Sequence, residues 1–359
     1  MKSLPKYQLT RPRFEKTVSQ FSRKKVLVFG DVGVDKYTIG RVTRISPEAP
    51  IPVVQVTDTQ LKLGLAANVA DNIQALGADP LLVGLVGDDR NAMDFSGLLR
   101  SRRVSDKYIV TDGSRRTTLK ERVVAESQQV VRIDYETQEK IESEVAQEIW
   151  YQLSRAIDQS DAVVIEDYAK GLVSPSICRQ IIHKCEQNQI PVFVDPNGAG
   201  HLSTYFGCTI LTPNTAEAEL LSHVKIIDHE SLTVAGLRIL EKVNAQIVII
   251  TRGKEGMAIF IRSEPYPLFV PTFAREVFDV SGAGDTVIAT LALCLVSGAN
   301  IVEAALIANF AAGIEVGKRG TATVTVSELR EYIDFIGYQN AKISTGKQKK
   351  SLARRTANA

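Results

Sequence analysis

Six short apolar runs punctuate this chain, and each stops at a polar cluster. They read VLVFGD from Val26, LLVGLVGDD from Leu81, AVVIEDY from Ala162, VFVDPN from Val192, ILTPN from Ile210 and VIITRG from Val248. Short apolar runs without alternation suit strands buried on both faces. Between them lie stretches with helical spacing, among them AANVADNIQALGA (Ala66–Ala78, with Gly77 as a stop), SPSICRQIIHKCEQNQ and TAEAELLSHV. Strands alternating with helices imply right-handed crossovers and a mainly parallel sheet with helices on both faces, a three-layer α/β/α fold. With 359 residues and 44% apolar content, the chain can build that core as one domain.

Two segments break the rhythm. YTIGRV and IPVVQVTD (Tyr37–Val42, Ile51–Asp58), then TTLKERVVA and QQVVRIDYE (Thr117–Ala125, Gln128–Glu136), alternate apolar with polar like half-exposed strands. They predict a small β-sheet lid inserted into the main domain, a surface of the kind that serves for homodimerisation. The expected organisation is an N-terminal extension over 1–23, one domain over 24–335 with lid strands near 37–58 and 117–136, and a basic disordered tail over 336–359.

Several function classes recede. The formal net charge is +2, so no global field points to nucleic acid or membrane. Cys178, Cys185, Cys208 and Cys294 are scattered, and none of the four histidines (His183, His201, His223, His229) pairs with a ligand at metal spacing. Residues 1–25 are polar and basic without a signal-like apolar stretch. The apolar run Val287–Val296 falls short of the ~20 residues that span a bilayer. A reduced, cytoplasmic protein is expected.

In an open parallel sheet, ligands bind beyond the carboxyl ends of the strands. Here those ends read Gly30-Asp31, Glu166-Asp167-Tyr168, Asp195-Pro196-Asn197, Pro213-Asn214 and Thr251-Arg252-Gly253, which together predict an active-site rim. DVSGAGDTVIAT (Asp279–Thr290) adds a glycine turn, a carboxylate and an apolar helix. N–H groups at such a helix start form an anion site, and Asp285 in its first turn could accept a proton from a hydroxyl. Alone, Asp285 reads equally well as an ordinary first-turn acid. Neither a GxxxxGK[ST] loop nor a GxGxxG after the first strand is present.

Taken together, these residues resemble the ribokinase-like (PfkB-type) carbohydrate kinases. DVSGAGDTVIAT is similar to that family's C-terminal signature and GLAANVADNIQALGA to its N-terminal one, alongside Asn-x-x-Glu at Asn214–Glu217 and Thr-Arg-Gly at 251–253. The resemblance covers about residues 24–330. Within the family, GDVGVDKYTIGRVTRISPEAPIPVV, DYAKG and VGKRGTATV resemble the branch that phosphorylates D-glycero-D-manno-heptose 7-phosphate at O1 for ADP-heptose and lipopolysaccharide core synthesis, in a form without the nucleotidyltransferase domain fused to some of its members.

The resemblance implies that Asp285 is the base, with the N–H groups of Gly282, Ala283 and Gly284 as anion hole. It puts Asp31, Asp35, Gly64 and Asn68 at the sugar, and Arg41, Arg44, Lys120, Arg122 and Lys170 as candidate cations for the sugar phosphate. Asn214 and Glu217 would hold Mg²⁺ through water, and Thr251, Arg252, Gly253, Gly256 and Asn309 would line ATP. Carbonyls near Asp279, Ser281 and 316–320 would suit K⁺. The chain departs from the family's usual pattern at Leu65 (a glycine there), at Asn197 (Asp-Pro-Lys in heptose kinases) and at Ala125-Glu126-Ser127 (Ser-Arg-Asn). A kinase of another sugar or nucleoside, and a silent binding relative, stay open.

Overall fold

Alternate residues of the central strands enter two separate cores, and this sets the architecture. Val26 and Val28 of β1 (Lys25–Gly30) pack on one side, Leu27 and Phe29 on the other. The computed structural model describes residues 8–126, 128–274, 276–318, 320–338 and 343–345. The first core gathers α1 (Arg11–Val18), α2 (Ala66–Ala75), α3 (Arg90–Arg102), α8 (Ala283–Val296), α9 (Ile301–Glu315) and α10 (Val326–Ile336). The second gathers α4 (Ser143–Ile157), α5 (Pro175–Gln187), α6 (Thr215–Ser222) and α7 (His229–Val243). The result is the expected three-layer α/β/α arrangement.

The sheet between them runs β14-β13-β12-β11-β10-β9-β8-β1-β4-β5. Its parallel part comprises β11 (Ile247–Thr251), β10 (Ile210–Leu211), β9 (Val192–Asp195), β8 (Ala162–Glu166), β1, β4 (Asp79–Val86) and β5 (Tyr108–Thr111). The strands β12 (Met257–Ile261), β13 (Leu268–Val270) and β14 (Ser344–Thr345) extend one edge antiparallel. The last lies inside the segment expected as a tail, most of which falls outside the described residues. At the other terminus, α1 is docked: Phe14 is fully buried and Arg13 makes a bidentate pair with Glu303 at 2.7 Å to each oxygen.

The lid is a four-stranded sheet ordered β3-β2-β6-β7, from β2 (Val32–Ile45), β3 (Pro52–Leu65), β6 (Thr118–Ala125) and β7 (Gln128–Tyr135). Its first two strands are 14 residues each, longer than the alternation alone suggested. Only Asp31 separates β1 from β2, so the lid grows straight out of the central sheet. Period-two alternation then sorts its side chains. Lys62, Asp35, Lys120 and Asp134 share one row and one face, and Gln60, Tyr37, Arg122 and Arg132 the next row of that face. The opposite face carries Val42, Val56, Val131, Ile133 and Tyr135.

Candidate active site

Register brings three strand ends into line: Gly30 pairs with Glu166, and Glu166 with Asp195. A Cβ on Gly30 would lie 2.3 Å from the Glu166 carbonyl oxygen, so glycine is required there. The next residue, Asp31, is buried, and its carboxylate accepts N–H bonds from Tyr168 (3.3 Å), Lys170 (3.0 Å) and Leu172 (3.4 Å). Asp31 therefore organises the DYAKG loop, a duty beyond the sugar contact that the resemblance implies. Burial pushes it up to about 6 against the pull of those three bonds.

Across the cleft, α8 begins at Gly282, whose φ of +93° suits glycine. A Cβ there would come within 2.9 Å of Asn68 Nδ2. Of the three N–H groups expected in the anion hole, that of Ala283 points back to the Val280 carbonyl at 3.3 Å. The N–H groups of Gly282 and Gly284 have no acceptor among the described residues. Asp285 follows, buried in the first turn. Asn68 donates to its Oδ2 at 2.6 Å, and the Tyr168 hydroxyl donates to its Oδ1 at 2.7 Å. Asn68, expected at the sugar, thus holds the carboxylate expected to act as base. Burial pushes Asp285 up to about 6, with both hydrogen bonds opposing the rise.

Asp285 is not alone. Carboxylate oxygens of Glu166, Asp195 and Asp285 lie within 4.8 Å of one another. Burial, and then their mutual repulsion with that of Glu217, holds Glu166 and Asp195 well above the usual carboxylate range. One Glu166 oxygen is buried without a hydrogen-bond partner. Such a set is electrostatically unfavourable by itself and suits a hard divalent cation with all-oxygen ligands, so the residues present fit Mg²⁺. The Asn-x-x-Glu motif also has a local duty. The Asn214 side chain accepts the Glu217 N–H at 3.0 Å and Glu217 accepts the Asn214 N–H at 2.8 Å, a capping box that starts α6. It fixes Glu217 at the start of α6, where its charge is felt at Asp195.

Beyond this cluster opens a cavity of about 780 Å³, of a size that holds a small-molecule ligand. Asn214, Glu217, Thr251, Arg252, Gly253, Gly256 and Asn309 all line it, as do Asp195 and Gly284. Arg252 is ion-paired with Glu255, and the Asn309 side-chain Oδ1 accepts the Phe273 N–H at 3.2 Å. Gly256, at φ +80°, would collide with the Val270 carbonyl at 2.0 Å if it bore a Cβ.

On the lid's cleft face, Arg122 pairs with Asp35 at 2.6 Å, and a Cβ on Gly64 would sit 3.1 Å from the Asp35 carboxyl carbon. Lys120 lies 5.3 Å from the Tyr168 ring centroid, with burial lowering its pKa. Lys62, absent from the sequence reading, joins them and donates to the Thr321 carbonyl at 2.6 Å. Three candidate cations are placed otherwise. Lys170 forms a half-buried pair with Glu136 at 2.7 Å, tying the DYAKG loop to the lid. Arg44 is exposed near the outer end of β2, nine residues beyond Asp35, which at ~3.3 Å per residue is about 30 Å away along the strand. Arg41 is exposed on the same outer stretch.

The chain's departures also have structural readings. Leu65 adopts φ +59°, the left-handed region that a glycine fills without strain, and is buried. Asn197 closes a turn, accepting the Ala199 N–H at 2.9 Å. Glu126, at φ +59°, is exposed at the β6–β7 turn, and Ser127 lies outside the described residues. Near the expected K⁺ loop, the Asp279 side chain accepts the Ser281 N–H at 2.9 Å, and the Val316 carbonyl accepts the N–H groups of Phe278 and Asp279. Behind that loop sits Glu315, fully buried. The Ala322 N–H faces it, yet neither carboxylate oxygen has a well-formed hydrogen bond among the described residues, and burial pushes it up to about 8. A neutral acid there avoids repelling an anion at Gly282.

Comparison with known proteins follows the geometry. The model of the pfkB family carbohydrate kinases matches residues 23–328. Bifunctional protein HldE of Geobacter sulfurreducens is 39% identical over 334 residues, covering 93% of this chain and 67% of that protein. Bifunctional protein HldE of Sulfurimonas denitrificans is 42% identical over 308 residues, covering 86% and 64%. The chain thus spans about two thirds of the length of the curated relatives it matches. Among solved structures, ribokinase of Arabidopsis thaliana complexed with ribose and ATP has a TM-score of 0.69 at 20% identity, covering 87% of this chain and 99% of that one. Phosphofructokinase-2 of Escherichia coli in complex with potassium has a TM-score of 0.72 at 17% identity, covering 87% and 98%. No helix among the described residues is long and apolar enough to cross a membrane. By the match over residues 23–328 and by its fold, the chain belongs to the pfkB family of carbohydrate kinases and is an ATP-dependent sugar kinase.

Proposed function

We propose that the acceptor is a phosphorylated sugar, D-glycero-D-manno-heptose 7-phosphate, and that its O1 receives the γ-phosphoryl group to give the 1,7-bisphosphate for ADP-heptose and lipopolysaccharide core synthesis. The observation that carries this reading is the cleft face of the lid. Lys62, Lys120 and Arg122 stand there in two adjacent rows, an excess of positive charge over Asp35 that suits a dianion. The lid's sequence likeness to the heptose-phosphate kinases points the same way.

In this account ATP fills the cavity lined by Thr251, Arg252, Gly253, Gly256 and Asn309, with its γ-phosphate at Gly282 and Gly284. Asp285 takes the proton of the sugar hydroxyl as that oxygen attacks phosphorus, and the N–H groups steady the charge on the phosphoryl oxygens. Arg252 exchanges Glu255 for phosphate. Mg²⁺, when bound, would supply neutralising charge at the phosphates; Glu166 and Asp195 of the carboxylate cluster would hold it, with Asn214 and Glu217 acting through water. The loop at Asp279 and Ser281 is where K⁺ would bind. The lid excludes water, the competing acceptor. Asp35, Gly64 and Asn68 shape the sugar side, and Lys170 keeps the lid in place through Glu136.

A coupled ADP-release assay across heptose 7-phosphate, fructose 6-phosphate, ribose and an unphosphorylated heptose tests the reading. The heptose phosphate is expected to give the highest kcat/KM; ribose or fructose 6-phosphate far ahead of it would remove the substrate assignment. Within that assay, Lys120→Met should raise KM for the sugar phosphate about tenfold or more, as loss of a charge-assisted hydrogen bond would, and leave KM for ATP within about twofold. An unchanged sugar KM would put the phosphate elsewhere.

The other lid face supports a homodimer. Val56 (53% exposed), Val131 (46%), Ile133 (39%) and Tyr135 (37%) are apolar side chains left in water on that face, to either side of the Lys36–Glu121 ion pair. The base of that face packs into the core through Val34, Leu63 and Leu119, and the next row outward sets Leu61 and Ile133 on either side of Lys36 and Glu121. Light scattering should give a dimer mass at micromolar concentration, and Val131→Asp combined with Ile133→Asp should give a monomer. A wild-type monomer would contradict the proposal.

A further inference from the structure

We propose that Tyr168 is a positioning residue for phosphoryl transfer: its hydroxyl, donated to Asp285 Oδ1, fixes the orientation of the carboxylate that receives the substrate proton and ties it to the lid lysine Lys120. The inference rests on Asp285 being the base.

The geometry restrains Tyr168 at both ends. Its backbone N–H is caught by Asp31 at 3.3 Å, and two residues on the Lys170 N–H is caught by the same carboxylate at 3.0 Å. Ala169 between them takes φ +58°, a conformation that a side-chain-bearing residue adopts only when its surroundings over-determine it. From this pinned turn the phenol reaches across the cleft from the end of β8 to the start of α8, where its hydroxyl meets Asp285 at 2.7 Å. Asn68 holds the other oxygen at 2.6 Å. Two donors from two elements leave the carboxylate no freedom to rotate, and pre-organisation of that kind is what a base needs.

Charge around the pair makes the donor matter. The carboxyl groups of Asp35 from β2, Glu166 from β8, Asp195 from β9 and Glu315 from α9 all face Asp285 or Tyr168, Glu315 as the neutral acid, and Lys120 from β6 opposes the charged ones. Burial first, and then Asp285, Glu166 and Asp195, hold the phenol well above its ordinary range, so it remains a donor. Lys120 stands 5.3 Å from the phenol ring centroid, so lid position is felt at the ring face.

The test is the pH profile of kcat, with ATP, Mg²⁺ and the best acceptor of the panel, for wild type and Tyr168→Phe. Loss of the donor favours the protonated acid, so the acid-limb midpoint should rise by about one unit, which alone lowers kcat at pH 7 by about twofold; loss of the carboxylate's orientation should lower the high-pH plateau of kcat about tenfold, with KM for ATP within about twofold. A purely packing role would leave the midpoint where it is, and a variant profile superimposable on wild type overturns the proposal. If Tyr168→Phe does not fold, difluorotyrosine incorporated at 168 decides. A stronger donor should lower the midpoint, and an unmoved midpoint overturns the role. Asp285→Asn separates the two layers: if it remains active, the base assignment falls, whereas an inert Asp285→Asn with an unaltered Tyr168→Phe removes only Tyr168.

Discussion

Replacing Asp285 with asparagine is expected to lower kcat by about a thousandfold or more, the scale set by loss of a positioned general base. The substitution keeps the shape of the side chain. Its amide oxygen can still accept from Asn68 or Tyr168, so thermal stability should fall little and ATP should bind as before. The effect should appear in kcat. Wild-type activity should also carry the signature of this group. With Asp285 pushed up to about 6, the carboxylate form prevails above that pH, so kcat should fall as pH drops through about 6, in a region where an ordinary aspartate would still be ionised. Activity that persists undiminished to pH 4.5 would show that Asp285 does not titrate in the rate-limiting step.

Asp195→Asn is expected to move two properties in opposite directions. Glu166 and Asp195 bind protons more tightly in the folded chain than in the unfolded one, since burial and mutual repulsion raise both. The sign follows from linkage: stability contributed by such groups is present below their unfolded pKa near 4–4.5 and is lost as pH rises toward the raised folded value. Removing one charge should therefore stabilise the metal-free protein at pH 8, and less so at pH 5. The same change removes a hard oxygen ligand, so the Mg²⁺ concentration for half-maximal activity should rise about 10–100-fold. Melting curves with and without Mg²⁺, beside a Mg²⁺ titration of activity, read both. A destabilised Asp195→Asn protein with an unaltered Mg²⁺ requirement would contradict the account of the cluster.

The layered fold was legible in the chain because doubly buried strands and amphipathic helices leave different periods. So was the rim, since polar residues at strand ends interrupt apolar runs. What escaped were features that depend on register. Glu166 and Asp195 face each other because β8 and β9 pair residue for residue there, and nothing in either run announces that neighbour. Tyr168 looked like part of a polar cluster; its bond to Asp285 spans 117 residues of sequence. Lys62 belongs with Lys120 and Arg122 only once β2 is placed between β3 and β6. Arg44 and Lys170 depend on placement too. Each is a cation in a stretch that resembles the substrate side, but strand length carries Arg44 outward, and Lys170 finds Glu136. Leu65 is a third case. A glycine is expected where φ is +59°, and here a buried leucine tolerates that backbone, a cost of order 1–3 kcal/mol met elsewhere in the core.

The measurement that bears most directly on the central claim is ³¹P NMR of the protein incubated with Mg²⁺-ATP and D-glycero-D-manno-heptose 7-phosphate, with Asp285→Asn in parallel. The account predicts ADP and a new sugar phosphate resonance in equal amounts, the 7-phosphate signal retained, and neither product with the variant. ADP without a new sugar phosphate, or equal turnover by Asp285→Asn, would contradict it.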